Sequence, residues 1–322
     1  MTIKLDKSVI ILLISLLISD VMFSQELLPR RPFMGMQMET ISLEQKERSG
    51  LSPDIYGIYV KGTLEGSPAA NAGIRKGDVI EYINDTKVNT TQDLLVAIRK
   101  VNNTSTVTFS IYRDTKKKKI KVKLIPFPKE EHPEYDTEYL AAVSGGNVHR
   151  VLVTRPRGIS KAPAVLMVQG VGCFSQDNMN NPALNSIVDS LTLNGFVVMR
   201  VEKSGIGDSQ GKPCGEVNLE EEVGGYMAGL KLLKSLSYVD SANVLAFGIS
   251  MGGIIAPILN LQSPLKGIIA YGTIGRNWFE YEMMNSRRQF KLVNSSNDSL
   301  DSFMRREYNK LYGLFVAMAS PT

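Results

Sequence analysis

The apolar positions of this chain follow two patterns that change over at a proline-rich stretch, Pro126 to Pro133. Before it, apolar runs are short and alternate with polar residues. Tyr56 to Gly62, Val79 to Ile83, Val107 to Tyr112 and Ile120 to Ile125 each read as a strand with one wet face. Beyond Pro163 the runs become nearly continuous. Ala164 to Val168, Phe196 to Val201, Ala242 to Phe247 and Gly267 to Tyr271 have the character of strands covered on both faces. Helical stripes separate them. Leu184, Ile187, Val188 and Leu191 repeat at helical spacing after an Asn181-Pro182 start, Gly195 closes that helix, and a further helix runs from about Asn218 to Leu236. Repeated strand, glycine loop and helix predict an α/β fold: a mostly parallel sheet with right-handed crossovers and helices on both faces.

The first half has its own local logic. Ser67-Pro68 caps a short helix that Gly73 ends, and Gly77-Asp78 turns the chain into the strand Val79 to Ile83. Thr91 is expected to cap a second helix with Leu94, Leu95, Ile98 and Val101 on one face. A hairpin spans Arg113 to Lys119. This is a small mixed α+β domain over residues 30–125, followed by a linker at 126–134 and a larger domain at 135–322.

The chemistry concentrates in Gly248-Ile249-Ser250-Met251-Gly252, between the strand ending at Phe247 and the helix-like run Gly253 to Ala256. G-x-S-x-G between a strand and a helix is the frame of a nucleophile elbow. The serine then sits on a strained turn, and Gly248 and Gly252 are needed where a side chain would collide. The following helix start presents backbone N–H groups to a developing oxyanion. Ser250 is the candidate nucleophile.

Composition narrows the alternatives. The chain has 322 residues, 43% hydrophobic and 21% charged, which is ordinary globular protein with room for two cores. Net charge is +5, partly from the run Lys116 to Lys119, read as a solvated hairpin end. No stacked aromatics accompany it, so no nucleic-acid partner is expected. Lys4 and Lys7, the apolar Val9 to Ile18 and Ser24-Gln25 read as a signal peptide over residues 1–24, with an uncleaved anchor as the alternative. The apolar core is too short for a stable membrane span, and the expected location is the periplasm, cell envelope or exterior. With only two cysteines, Cys173 and Cys214, and two histidines, His132 and His149, neither metal nor cofactor is expected. His132 reads as a linker residue and His149 as a surface strand position.

Two family resemblances follow from these residues. Gly66-Ser67-Pro68-Ala69-Ala70 through Ala72-Gly73-Ile74 and Gly77-Asp78-Val79-Ile80 resembles the PDZ domain attached to bacterial envelope serine proteases. That resemblance implies binding of peptide C-termini by β-augmentation, with Phe33, Met34, Gly35 and Met36 as the carboxylate loop. Docking against its own partner domain, or dimerisation, is the other reading of such a domain. The glycine loop Gln169 to Cys173, the segment Gly205 to Gly211 and the elbow, in that order, resemble the α/β-hydrolase family near its esterase and peptidase-like members. The resemblance implies oxyanion donors at the Val171 and Met251 N–H groups. It also notes Gln169 where the family usually has a histidine that orients the loop. Cys173 and Cys214 then lie on one rim of the sheet, which leaves two readings: a disulfide pinning the oxyanion loop, or two buried thiols.

The family needs an acid and a histidine after the nucleophile, and no histidine follows His149. One expectation is a partial sheet with lid helices at about 274–320, the acid and histidine being carried on chain not present here. Another is a truncated, non-catalytic binding protein, and a third is a base supplied by His149 or His132. Two functions compete: an exported serine hydrolase acting on small esters or peptide-like acyl bonds, and a non-catalytic envelope scaffold that works through its PDZ domain.

Overall fold

A computed structural model describes residues 28–179, 181–293 and 297–319. The targeting segment expected over residues 1–24 lies outside them. Among the described residues no helix is long and apolar enough to cross a membrane.

The first domain runs β1 (Pro32–Phe33), β2 (Met36–Thr40), α1 (Leu43–Arg48), β3 (Ile58–Thr63), α2 (Pro68–Asn71), β4 (Val79–Ile83), β5 (Thr86–Lys87), α3 (Thr91–Arg99), β6 (Thr106–Arg113), β7 (Lys116–Lys123) and β8 (Ile125–Pro126). Its main sheet has the order β2-β3-β4-β6-β7, with β5 on β4, while β1 and β8 pair separately. Alternation does what it predicts: Val107, Phe109 and Ile111 of β6 point into a core shared with Ile58, Val60, Ile80, Leu94 and Ile98. Ser67 caps α2 as expected, but the cap of α3 is Thr90, one residue earlier than the periodicity suggested. Thr90 wins because its hydroxyl reaches the Asp93 N–H while Asp93 reaches back to its own N–H, a reciprocal box that Thr91 has no partner to form. The hairpin is also tighter than expected. Asp114 and Thr115, both at positive φ, make a two-residue turn, so Lys116 to Lys119 belong to β7 and not to a loop end. There they line an edge strand, where lysine discourages further pairing.

The second domain contains β9 (Tyr135–Ser144), β10 (Asn147–Pro156), β11 (Ala162–Val168), α4 (Pro182–Leu193), β12 (Val197–Val201), α5 (Leu219–Ser235), β13 (Val239–Ile249), α6 (Gly252–Gln262), β14 (Gly267–Tyr271), α7 (Trp278–Val293) and α8 (Asn297–Ala319). Its six-stranded sheet has the order β14-β13-β11-β12-β10-β9, parallel from β14 to β12 and antiparallel beyond. Each buried strand splits its side chains between two cores. Ala164, Leu166 and Val168 of β11 face α5 and α6, whereas Val165 and Met167 face α4. The second domain is α/β, a mostly parallel sheet with helices on both faces, and a mixed α+β domain stands ahead of it. The helices α7 and α8 pack on each other through Phe279 with Tyr308 and Phe290 with Phe303.

The segment 126–134 is not a free linker. Phe127 N–H donates to Arg31 O at 2.8 Å, and Glu130 holds the buried Arg200 at 2.6 Å. The preceding residues dock the domains. Arg30 Nη1 lies 2.5 Å from Asp208 and 2.7 Å from Asp177. Arg31 reaches Asp177 at 3.0 Å and donates its backbone N–H to Asp208 at 2.8 Å, and Arg150 meets Asp208 at 3.0 Å. Both aspartate side chains are fully buried. From α3, Arg99 donates to Gly205 O at 2.6 Å.

Asp208→Ala should therefore remove an acceptor shared by three cationic or N–H donors at a buried junction and cost about 3–5 kcal/mol, read as a lower urea midpoint. Arg157→Ala, which breaks an exposed pair with Asp136, should cost under about 1 kcal/mol.

Candidate active site

Strand register brings the site together. Val168, the last residue of β11, pairs in parallel with Gly248 of β13. On the other side of β11, Met167 aligns with Arg200 of β12. Three loops thus leave the sheet on one rim: Gln169 to Cys173, the segment after Glu202, and the turn at Ser250.

Ser250 has φ +54°, a left-handed conformation that non-glycine residues adopt rarely. Holding it there costs on the order of 1–3 kcal/mol, and the surroundings over-determine it. Its N–H donates to Tyr271 O at 2.9 Å, and the Thr273 hydroxyl donates to its carbonyl at 3.0 Å. The flanking glycines admit no substitute. A Cβ on Gly248 would lie 2.3 Å from Gly252 O, and one on Gly252 would lie 2.0 Å from Val168 O. Ile249 and Met251 need no such freedom, and α6 starts directly after Met251.

Across from the elbow, Gly170 faces the serine: a Cβ there would come within 3.5 Å of Ser250 Oγ. The loop is gripped from behind. Gln169 N–H donates to the buried Tyr226 hydroxyl at 3.2 Å, and Lys203 Nζ donates to Gly170 O at 2.8 Å. Val171 is exposed, and Cys173 is bonded to Cys214 with a Cα–Cα separation of 5.8 Å. Further along, buried Glu202 accepts from Ser175 Oγ and from the Gln176 N–H at 3.1 Å. Burial pushes the Glu202 carboxyl up, against these hydrogen bonds and nearby Arg31. Sequence reasoning missed Lys203, Glu202 and Tyr226. Glu202 and Lys203 directly follow β12, but nothing local marks what they hold.

His149 overturns its expected surface placement. It is buried, with Nδ1 at 3.0 Å from Glu202 O and Nε2 without a partner among the described residues. Alternation correctly put it on one face of β10, but α5 covers that face, and Gly225 is present because a Cβ would meet the imidazole at 2.8 Å. Burial pushes the His149 imidazole below its ordinary value of 6.5, only partly opposed by the Glu202 carbonyl. Strands β11 and β12 separate β10 from β13, a width of roughly 14 Å at ordinary strand spacing. His132 stacks on Tyr135 at 3.9 Å, in the segment before β9. Neither histidine is placed beside Ser250.

In the first domain, β2 is an edge strand with α3 packed against it. Of the four carboxylate-loop candidates, Phe33 is paired in β1 and packs edge-on to Phe127. Met34 is buried with its carbonyl accepting from the Ala69 N–H at 3.0 Å. Gly35, at φ +73°, has its carbonyl held by the Leu64 N–H at 2.8 Å and the Ser67 hydroxyl at 3.2 Å. Met36 opens β2. The turn is rigid and leads directly into the open edge.

Residues 32–124 match the family model of the PDZ domain. Over 112 residues the chain is 34% identical to the probable periplasmic serine endoprotease DegP-like of Bartonella henselae, covering 35% of this chain and 22% of that protein. Over 98 residues it is 38% identical to the serine protease Do-like HtrA of Lactococcus lactis, covering 29% and 24%. The chain thus spans under a quarter of the length of these relatives. Among solved structures, the α/β hydrolase GrgF from Penicillium sp. aligns at TM-score 0.40 and 14% identity, covering 50% of this chain and 54% of that one. The HtrA-type protease AlgW with decapeptide aligns at TM-score 0.29 and 22% identity, covering 31% of each chain. Residues 32–124 are a PDZ domain whose homologues belong to HtrA-type proteases.

Two measurements test this local account. Ser250→Gly should be about 1 kcal/mol more stable than Ser250→Ala in urea unfolding, because only glycine relieves the left-handed strain. The buried neutral His149 contributes stability that is complete above pH 6.5 and is lost as the pH falls through its lower folded value. His149→Gln should flatten the fall in urea midpoint between about pH 7 and 5.

Proposed function

We propose that this chain belongs to an exported serine hydrolase that cleaves carboxylic esters or peptide-like acyl bonds through an acyl-enzyme on Ser250. The observation that carries the reading is the strained Ser250, enclosed by two glycines with no room for a Cβ and facing Gly170. In this reaction Ser250 Oγ attacks the acyl carbon, its proton passes to a base and then to the leaving alcohol or amine, and water later releases the acid. The oxyanion would be received by the N–H groups of Val171 and of Met251, the latter at the start of α6.

The base and acid are proposed to arrive on further strands pairing with β14. Support comes from its outer edge, unpaired among the described residues, where Ile269 and Tyr271 are 47% and 69% exposed. No side chain of α7 is buried. The PDZ domain would take peptide C-termini along β2, next to Phe33, Met34, Gly35 and Met36. The charged and apolar pattern of residues 1–24, together with the periplasmic naming of a PDZ relative, supports export. A second reading, an envelope scaffold acting through its PDZ domain, draws on the absence of a histidine beside Ser250 among the described residues.

A fluorophosphonate probe should label the full-length protein, with the strands proposed to carry the base and acid, on the tryptic peptide that contains Ser250, and Ser250→Ala should abolish labelling. Equal labelling of both proteins would remove Ser250 from the mechanism, and no labelling of either would favour the scaffold.

A further inference from the structure

The loop that faces Ser250 lacks the side-chain anchor expected at its first residue. Gln169 is buried, yet neither its Oε1 nor its Nε2 has a partner among the described residues. The loop is nevertheless held at two adjacent backbone atoms, Gln169 N by Tyr226 and Gly170 O by Lys203. Lys203 is itself buried at the end of β12 and pairs with Glu222 at 2.8 Å. Glu222 and Tyr226 are four residues apart on α5, so one helix face supplies both supports.

One peptide unit links this anchor to the chemistry. Gly170 C=O and Val171 N–H belong to the same trans peptide, so they point in opposite directions. Whatever fixes the carbonyl fixes the aim of the N–H. We infer that Lys203 is a positioning residue: by holding the Gly170 carbonyl it directs the Val171 N–H toward the oxyanion formed at Ser250. The inference rests on the hydrolase reading of Ser250. An ammonium is suited to the task because a charge-assisted hydrogen bond is about twice as strong as a neutral one. It also polarises the peptide and makes its N–H a better donor. Glu222 supplies the counter-charge that allows the ammonium to remain buried.

The test compares the full-length protein as wild type, Lys203→Met and Lys203→Arg by fluorophosphonate labelling kinetics and by amide hydrogen exchange over residues 166–174. In labelling, Ser250 Oγ bonds phosphorus, fluoride leaves, the serine proton is released, and the phosphoryl oxygen takes the oxyanion position. Lys203→Met should slow the maximal labelling rate by about 10- to 100-fold, less than the roughly 100- to 1000-fold cost of losing an oxyanion donor outright, because the donor is misdirected and not removed. The probe's half-saturating concentration should stay within about twofold, because the ground state uses this donor little. Lys203→Arg should recover most of the rate, and exchange at Gln169, whose N–H is bonded to Tyr226, should accelerate only in Lys203→Met. Labelling of Lys203→Met at the wild-type rate, or no recovery with arginine, would overturn the inference. If wild type itself is not labelled, the hydrolase reading fails separately. Exchange then decides the anchor: unchanged protection in Lys203→Met refutes it, and faster exchange supports it.

Discussion

The close approach of the elbow to the end of β11 is the constraint on which the rest of the second domain depends. Gly252 passes so near the Val168 carbonyl that a Cβ would sit 2.0 Å from the oxygen, and Gly248 is equally confined by Gly252 itself. That contact requires the parallel register of Val168 with Gly248, and the register in turn requires both strands to be covered by helices. Once the two strand ends are locked, the loop beginning at Gln169 has to leave the sheet beside Ser250. The strain at Ser250 is therefore maintained by packing spread over three strands and α6, and not by any one hydrogen bond.

The charges at the domain junction have a different logic. Asp177 and Asp208 lie in the loops that follow β11 and β12, the two loops that flank the candidate site. Their partners Arg30 and Arg31 lead into the PDZ carboxylate-loop candidates at Phe33 to Met36. Each aspartate is shared between cations, so removing one partner leaves charge without water, whereas the intact set is satisfied. This geometry restrains the rear of the 169–179 loop, while Glu202 fastens its middle through Ser175 and Gln176 and the Cys173–Cys214 bond ties its front. The segment is irregular in backbone but anchored along its length.

What was legible in the sequence divides by range. Local chemistry read well: Ser67-Pro68 and Asn181-Pro182 start helices, Gly195 ends one, and the elbow glycines are where the turn needs them. Alternation found the strands because one covered face leaves a period of two. It could not say what covers that face, so His149 read as exposed until α5 was laid over β10. Arg30 and Arg31 gave no signal either, since their aspartates are 146 or more residues away. Lys203 was hidden for the related reason that its partner is a backbone carbonyl, which every sequence offers everywhere.

The same sheet order bears on how a base could reach Ser250 under the hydrolase reading. The gripped loop comes from β11, on one side of β13, and Lys203, Tyr226 and Glu222 stand behind it on that side. The side toward β10 is closed by these buried groups, and His149 lies beyond them, neutral and held by the Glu202 carbonyl. A base entering from there would displace the supports of the oxyanion loop it has to cooperate with. Toward β14 the situation reverses: the strand is short, its outer edge is unpaired among the described residues, and Tyr271 and Thr273 already fix the Ser250 backbone from that side. The oxyanion loop and the proton acceptor must sit on opposite flanks of the nucleophile so that the attacked carbonyl oxygen and the departing proton do not compete for one space. With one flank occupied by Gly170 and its anchors, the open β14 edge is the flank left for the base and acid that the hydrolase reading proposes.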